Sequence, residues 1–167
     1  MAGIRRFKMI YIVATEAEKD LVRELFGEVK DEDITVTGVG IINALRVLRD
    51  VPREESIMNV GYVGSNRLDV GKWVEISSVQ MHHPEVGYEE TPIVLADADS
   101  KHMRVPCYTS SSFVLQTNVE DDAVFDMELA AIAAMGFKKV SALKKVSDNL
   151  SLHSYKNNVR GKNGIKE

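Results

Sequence analysis

Three acidic residues stand at positions where α/β proteins do chemistry. Glu18 lies just beyond the apolar run 7–14, Glu128 opens an alanine-rich stretch, and Asp148 closes the apolar run that starts at Lys139. A carboxylate can accept two hydrogen bonds from a diol. A carboxyl whose pKa is raised by burial can protonate a leaving base near neutrality. Each residue also has a plainer reading. Glu18 stands three residues after Thr15, the capping-box spacing, and favours the positive end of a helix. Asp148 suits a turn or cap. Gly61 and Gly64 suit a tight turn, and Ala130, Ala131, Ala133 and Ala134 suit close helix packing. The case for a site rests on the ordered set, not on any one member.

The elements that must position these residues follow from periodicity. Residues 7–14 read as a strand buried on both faces. Leu21, Val22, Leu25 and Phe26 form the inner stripe of a helix that Gly27 ends. A short strand at 34–37 and the turn Gly38-Val39-Gly40 lead into a helix over 41–50, stopped by Pro52. Residues 57–61 are the next buried strand, followed by a glycine-bearing loop at 61–65. A long strand over 70–79 bends at Gly71, and 93–96 is a short strand. Residues 110–114 and 120–124 are loops, 127–135 a helix ended by Gly136, and 139–146 the last strand. Strands alternating with helices predict an α/β three-layer sandwich with a mixed central sheet. We read 1–150 as a single domain and 151–167 as a polar C-terminal tail. Ligands in such sheets sit beyond the carboxyl ends of the strands, where Glu18, the 61–65 loop, Ser110 to Phe113 and Ser147-Asp148 all fall.

Composition narrows the function class. The chain has 167 residues, 44% hydrophobic and 28% charged, with a net charge of −4. That predicts a small-molecule partner, not nucleic acid. The single cysteine, Cys107, rules out an internal disulfide and a cysteine zinc cage. The run 7–14 is too short for a membrane span or a signal peptide, so no membrane partner and a cytoplasmic location are expected. His82 and His83 are adjacent, and neighbours on a strand point to opposite faces. A shared metal is therefore not expected there, and no metal or cofactor enters the reading.

The ordered motifs resemble those of the nucleoside phosphorylase superfamily, and most closely a shortened 5′-methylthioadenosine/S-adenosylhomocysteine nucleosidase. Ile12-Val13-Ala14-Thr15-Glu16-Ala17-Glu18 resembles that family's first strand and its Ala-Met-Glu-x-Glu loop. Thr37-Gly38-Val39-Gly40-Ile41-Ile42-Asn43-Ala44 resembles Ser-Gly-Ile-Gly-x-x-Asn-Ala. Asn59-Val60-Gly61-Tyr62-Val63-Gly64 resembles Asn-Thr-Gly-Ser-Ala-Gly, with Leu68-Asp69-Val70-Gly71 following. Asp126-Met127-Glu128 resembles Glu-Met-Glu, and Val146-Ser147-Asp148 resembles Ile-Ser-Asp. Each motif is weak alone; their order along residues 9–150 is more specific. Tyr62 departs from the pattern by replacing a small residue, and Asp126 by being one methylene shorter.

The resemblance implies roles. Asp148 matches the acid that protonates a purine, Glu18 the group that activates water, and Glu128 the acceptor of the ribose hydroxyls. Met127 packs on the sugar, and Phe113 holds the base. Asp126, Tyr62, Gly64, Ser147 and Lys144 complete the expected substrate-binding set, with Lys144 able to pair with Glu18. The implied activity is hydrolysis of a purine nucleoside such as methylthioadenosine, in methionine salvage. A homodimer is also implied, with Tyr88 a candidate to reach the partner's site. Two carboxylates in the first loop disfavour phosphate as nucleophile. A carboxylate about 4 Å from a phosphate charge is repelled by roughly 4 kcal/mol at an effective dielectric of 20. Arg67 and Lys144 keep a phosphate-dependent phosphorylase open as an alternative. A non-catalytic nucleoside-binding paralogue is the other, though a mere binder needs neither a water-activating base nor an acid.

Overall fold

A computed structural model describes residues 8–83, 90–98, 100–156 and 158. The first buried run forms β1 (Met9–Val13), and a 3-10 turn at Glu16–Glu18 leads into α1 (Lys19–Phe26). Leu21 and Val22 face inward, and Gly27 ends the helix at φ +75°. After β2 (Ile34–Val36) comes α2 (Ile41–Leu48), then β3 (Ser56–Gly64), β4 (Trp73–Met81), β5 (Ile93–Val94) and β6 (Arg104–Thr109). The last elements are β7 (Val124–Asp126), α3 (Leu129–Ala134), β8 (Lys139–Asp148) and the helical turn α4 (Leu152–Tyr155).

The result is a mixed α/β fold around one mixed sheet. β2, β1, β3 and β8 run parallel side by side. Their alternate residues feed two cores. Ile12, Ile57, Val140 and Ala142 pack with Ala44 and Leu48 of α2 and Leu129 and Ile132 of α3. Val13, Met58, Val60 and Leu143 pack with Leu21 and Val22 of α1. The unbroken apolar runs of these strands follow from burial on both faces.

The expected mixed central sheet is present, and beyond these four strands it curls on itself. β8 also pairs antiparallel with β4, β4 pairs parallel with β6, and β6 with β7. β7 then returns to β3 through Gly64 and Phe125. The path β3–β8–β4–β6–β7 is thus a closed ring, which abolishes sheet edges there. Local differences follow from it. Residues 61–64, expected as a loop, are the end of β3, because Gly64 is paired on both sides. Gly71 at φ +91° turns the chain, so β4 begins at Trp73 and not at Val70. Val124, read as loop, starts β7. Where a polar tail is expected, residues 152–155 form a helical turn against β8.

Among the described residues no helix is long and apolar enough to cross a membrane. No group of three or more His, Cys, Asp or Glu among them is arranged to hold a metal ion. Tyr88 lies outside the described residues.

Candidate active site

The carboxyl ends of β1, β3 and β8, with α3 and α4, surround a cavity of about 320 Å³. That is the size of a small-molecule site. Glu18, Tyr62, Gly64, Phe113, Asp126, Met127, Glu128, Ser147 and Asp148 all line it, so nine of the ten expected site residues meet in one place. Lys144 stands behind the wall, buried.

Glu18 is held by its own loop. Its Oε1 accepts hydrogen bonds from the Ala14 and Thr15 amides, both at 3.0 Å, and from the Thr15 hydroxyl at 3.2 Å. Its Oε2 accepts from the Tyr62 amide at 2.7 Å. The capping reading of Glu18 is therefore correct as far as Oε1 goes, while Oε2 turns toward the end of β3. Burial pushes its pKa up, against the pull of Lys144 and the three amides. A buried carboxylate so poised can take a proton from water near neutrality.

Gly61 and Gly64 make the carboxylates' approach possible. A Cβ on Gly61 would lie 2.5 Å from Glu18 Oε2 and 3.5 Å from Lys144 Nζ. A Cβ on Gly64 would lie 2.8 Å from Asp148 Oδ1 and 3.0 Å from the Leu150 side chain. Neither glycine has a positive φ. Close approach, not turn formation, is what they supply.

Asp148 is aimed by a register shift. Val63 pairs with Val146 but Gly64 pairs with Asp148, which leaves Ser147 as an extra residue in β8. Such bulges commonly re-aim a side chain beside an active site. The Ser147 hydroxyl donates to Asp148 Oδ2 at 2.8 Å and to the Val63 carbonyl at 3.3 Å, and the Leu150 amide donates to Oδ1 at 2.9 Å. Burial raises the Asp148 pKa, and these hydrogen bonds oppose the rise. The carboxyl is thereby suited to carry a proton for donation.

Glu128 heads α3 without having to cap it. Asp126 Oδ2 accepts from the Glu128 amide at 3.3 Å and the Leu129 amide at 2.7 Å. The Thr109 hydroxyl accepts from the Ala130 amide at 3.0 Å and donates to Asp126 Oδ1. With the first amides satisfied by others, the Glu128 carboxylate is turned to the cavity, where the Gly40 amide donates to it. Its pKa is pushed up to about 7 by burial first and by the Asp126 charge second. The Asp126 side chain is committed to this framework, and it forms the ion pair of Lys144 at 3.7 Å. The pairing of Lys144 expected with Glu18 is thus made with Asp126, while its charge still acts on Glu18 and Glu128.

Six lining residues were not expected at the site: Ala14, Thr15, Val63 and Phe125, each beside an expected residue or in the first loop, and Val39 and Tyr155. Val39 belongs to the Gly38-Val39-Gly40 turn, whose glycines have φ +88° and +96°. Tyr155 comes from α4, and its ring meets Phe113 edge-on with centroids 5.3 Å apart. An aromatic residue in an otherwise polar stretch was the only available signal for it. A larger hollow, about 680 Å³, lies between α2, α3 and β4, with Leu45, Val79, Met81 and Ala131 on its walls. It holds none of Glu18, Glu128 and Asp148, its one carboxylate being Glu90, so the smaller cavity is the better candidate for chemistry.

The frame has the nucleoside phosphorylase fold, in the form taken by the 5′-methylthioadenosine/S-adenosylhomocysteine nucleosidases. A nucleosidase of this kind from Chlamydia trachomatis, solved with MTA, is 19% identical at a TM-score of 0.73, over 92% of this chain and 89% of that one. The enzyme from Colwellia psychrerythraea, solved with adenine, is 19% identical at 0.73, over 93% and 89%. A mutant of the Helicobacter pylori enzyme, with 5′-methylthioadenosine in its active site, is 13% identical at 0.70, over 93% of each chain. No protein-family model and no curated protein matches the chain. At these identities the likeness shows the fold.

Proposed function

We propose that this protein is a purine nucleosidase that breaks the N-glycosidic bond of a nucleoside such as methylthioadenosine with water. The observation that carries the reading is the meeting of Glu18, Glu128 and Asp148 in one cavity, each with a raised pKa. Asp148 protonates the leaving base, which Phe113 holds. Glu128 accepts hydrogen bonds from the ribose hydroxyls, and Met127 packs on the sugar. Glu18 takes a proton from the attacking water. As the bond to the base breaks, the sugar gains positive charge, and the acidic lining stabilises it.

Water is favoured over phosphate by charge. Four of the described residues lining the cavity are acidic and none is basic. Lys144, the nearest buried cation, is engaged by Asp126. On this reading the protein acts on a free nucleoside in the cytoplasm, in methionine salvage, as a homodimer that buries the exposed apolar face of α2.

The test is adenine release from methylthioadenosine in phosphate-free buffer. We expect turnover without phosphate, and a fall of about 10²- to 10⁴-fold in kcat for Asp148→Asn, the usual worth of a general acid. Release that requires phosphate would make the protein a phosphorylase. Tight nucleoside binding with no release under either condition would make it a binding protein.

A further inference from the structure

Phe113, which holds the base in the proposed reaction, sits on a segment that the core does not fix. None of residues 111–122 is buried. The two ends of the segment are tied to the frame. The Ser110 amide donates to the Asp126 carbonyl at 2.9 Å, and the Ser65 hydroxyl donates to the Ala123 carbonyl at 2.7 Å. Between these ends Thr117 reaches His82. The Thr117 hydroxyl lies 3.1 Å from His82 Nε2 and accepts from the Val119 amide at 3.1 Å. Asn66 Nδ2 donates to the Val119 carbonyl at 3.2 Å. The His82 side of the tie is well anchored. His82 follows β4 directly and is buried, and its amide donates to the Thr109 carbonyl at 2.7 Å. Its ring meets those of Tyr108 and Phe125 edge-on, with centroids 6.3 and 5.3 Å apart. The segment also lies close to the proposed acid. Ser112, Phe113 and Val114 close a hollow of about 30 Å³ against Asp148, room for about one water molecule. A small shift of the segment therefore changes the space between Phe113 and Asp148.

We propose that His82 is a positioning residue for base binding: through Thr117 it pins the 111–122 segment and so keeps Phe113 at the base end of the cavity, facing Asp148. This inference rests on the nucleoside reading of the cavity and adds a residue that touches no substrate. His82 does not line the cavity, whereas Phe125, against which its ring packs, does. A protein whose binding-competent form is populated for a fraction of the time has its affinity reduced by that fraction. One net hydrogen bond shifts such an equilibrium by a factor of about 5 to 10, which bounds the loss of affinity when the pin is broken.

The test titrates adenine by calorimetry into native protein, Thr117→Val, Thr117→Ser, His82→Phe and the double variant His82→Phe/Thr117→Val. Thr117→Val keeps the shape of a half-buried side chain, so the fold is preserved, which circular dichroism and thermal melts check. We expect each of Thr117→Val and His82→Phe to bind adenine about 3- to 10-fold more weakly. The double variant should be no weaker than either single one, because both break the same bond. Thr117→Ser, which restores the hydroxyl, should bind as the native protein does. In turnover of methylthioadenosine, KM should rise in Thr117→Val while kcat stays within about 2-fold, the mark of lost binding rather than lost chemistry. Native affinity in both single variants overturns the pin, and so do losses that add in the double variant. A fall in kcat at unchanged KM also overturns it. If the native protein binds adenine but turns over no nucleoside, the nucleosidase reading fails and the affinities of the variants still decide the pin. If the native protein does not bind adenine, both fall.

Discussion

A methyl group at Gly61 would stand 2.5 Å from Glu18 Oε2, an atom already fixed by the Tyr62 amide. Gly61→Ala should therefore displace the carboxylate and lower kcat at least about 10-fold, and overpacking should cost roughly 1–3 kcal/mol of stability. Steady-state kinetics and urea unfolding would check both. Glu128 makes a second residue-scale prediction. Its folded pKa, about 7, lies above the ordinary 4.5 of the unfolded chain. The native state therefore binds more protons between these values. The Glu128 contribution to stability is present below about pH 4.5 and is lost as pH rises through about 7. Melting curves at pH 5 and pH 8 should show wild type losing more stability than Glu128→Gln over that interval. An equal loss would mean that Glu128 titrates normally. The Glu128 capping geometry was not legible in sequence, because the Asp126–Thr109 pair that frees it joins positions 17 residues apart.

Short elements turn these residues toward one another. α3 has six residues, too few to be stable by itself, and Asp126 and Thr109 hold its first turn. Asp126→Ala would remove the cap and leave Lys144 buried beside no paired carboxylate. The cap is worth about 1 kcal/mol, and breaking a buried pair about 3–5 kcal/mol. A loss of at least 3 kcal/mol in chemical denaturation is expected, and Asp126→Asn should lose less because its oxygen can still cap. β8 shows the same dependence on detail. Its apolar run made the strand legible from Lys139 onward, but the extra residue at Ser147 was not, because a bulge leaves no periodic trace. β7, three residues long, escaped for the same reason: alternation needs more residues to register.

At the scale of the whole molecule, one surface stands out. Val39, Ile42, Leu45 and Val47 on or beside α2 are 46, 65, 39 and 41% exposed, and Leu45 borders the 680 Å³ apolar hollow. Exposed apolar side chains grouped on one element are the kind of surface an association face needs. If it is the homodimer face proposed above, Ile42→Glu should shift the protein to a monomer in light scattering coupled to gel filtration, with the α2 helix itself intact by circular dichroism. A native protein that is already monomeric would end that part of the proposal.

The sequence by itself determined the parts whose signal is local. These are the buried strands β1, β3 and β8, the helices on either side, and the order of carboxylates at strand ends, since burial and chain direction write themselves into periodicity. Only the tertiary structure decided what depends on contacts distant in sequence. It closed the sheet into a ring through Gly64 and Phe125, moved the Lys144 ion pair to Asp126, and carried Tyr155 over the cavity. It also gave Gly61 and Gly64 their reason. A missing Cβ has meaning only once the atom that would collide with it has been brought there by another strand.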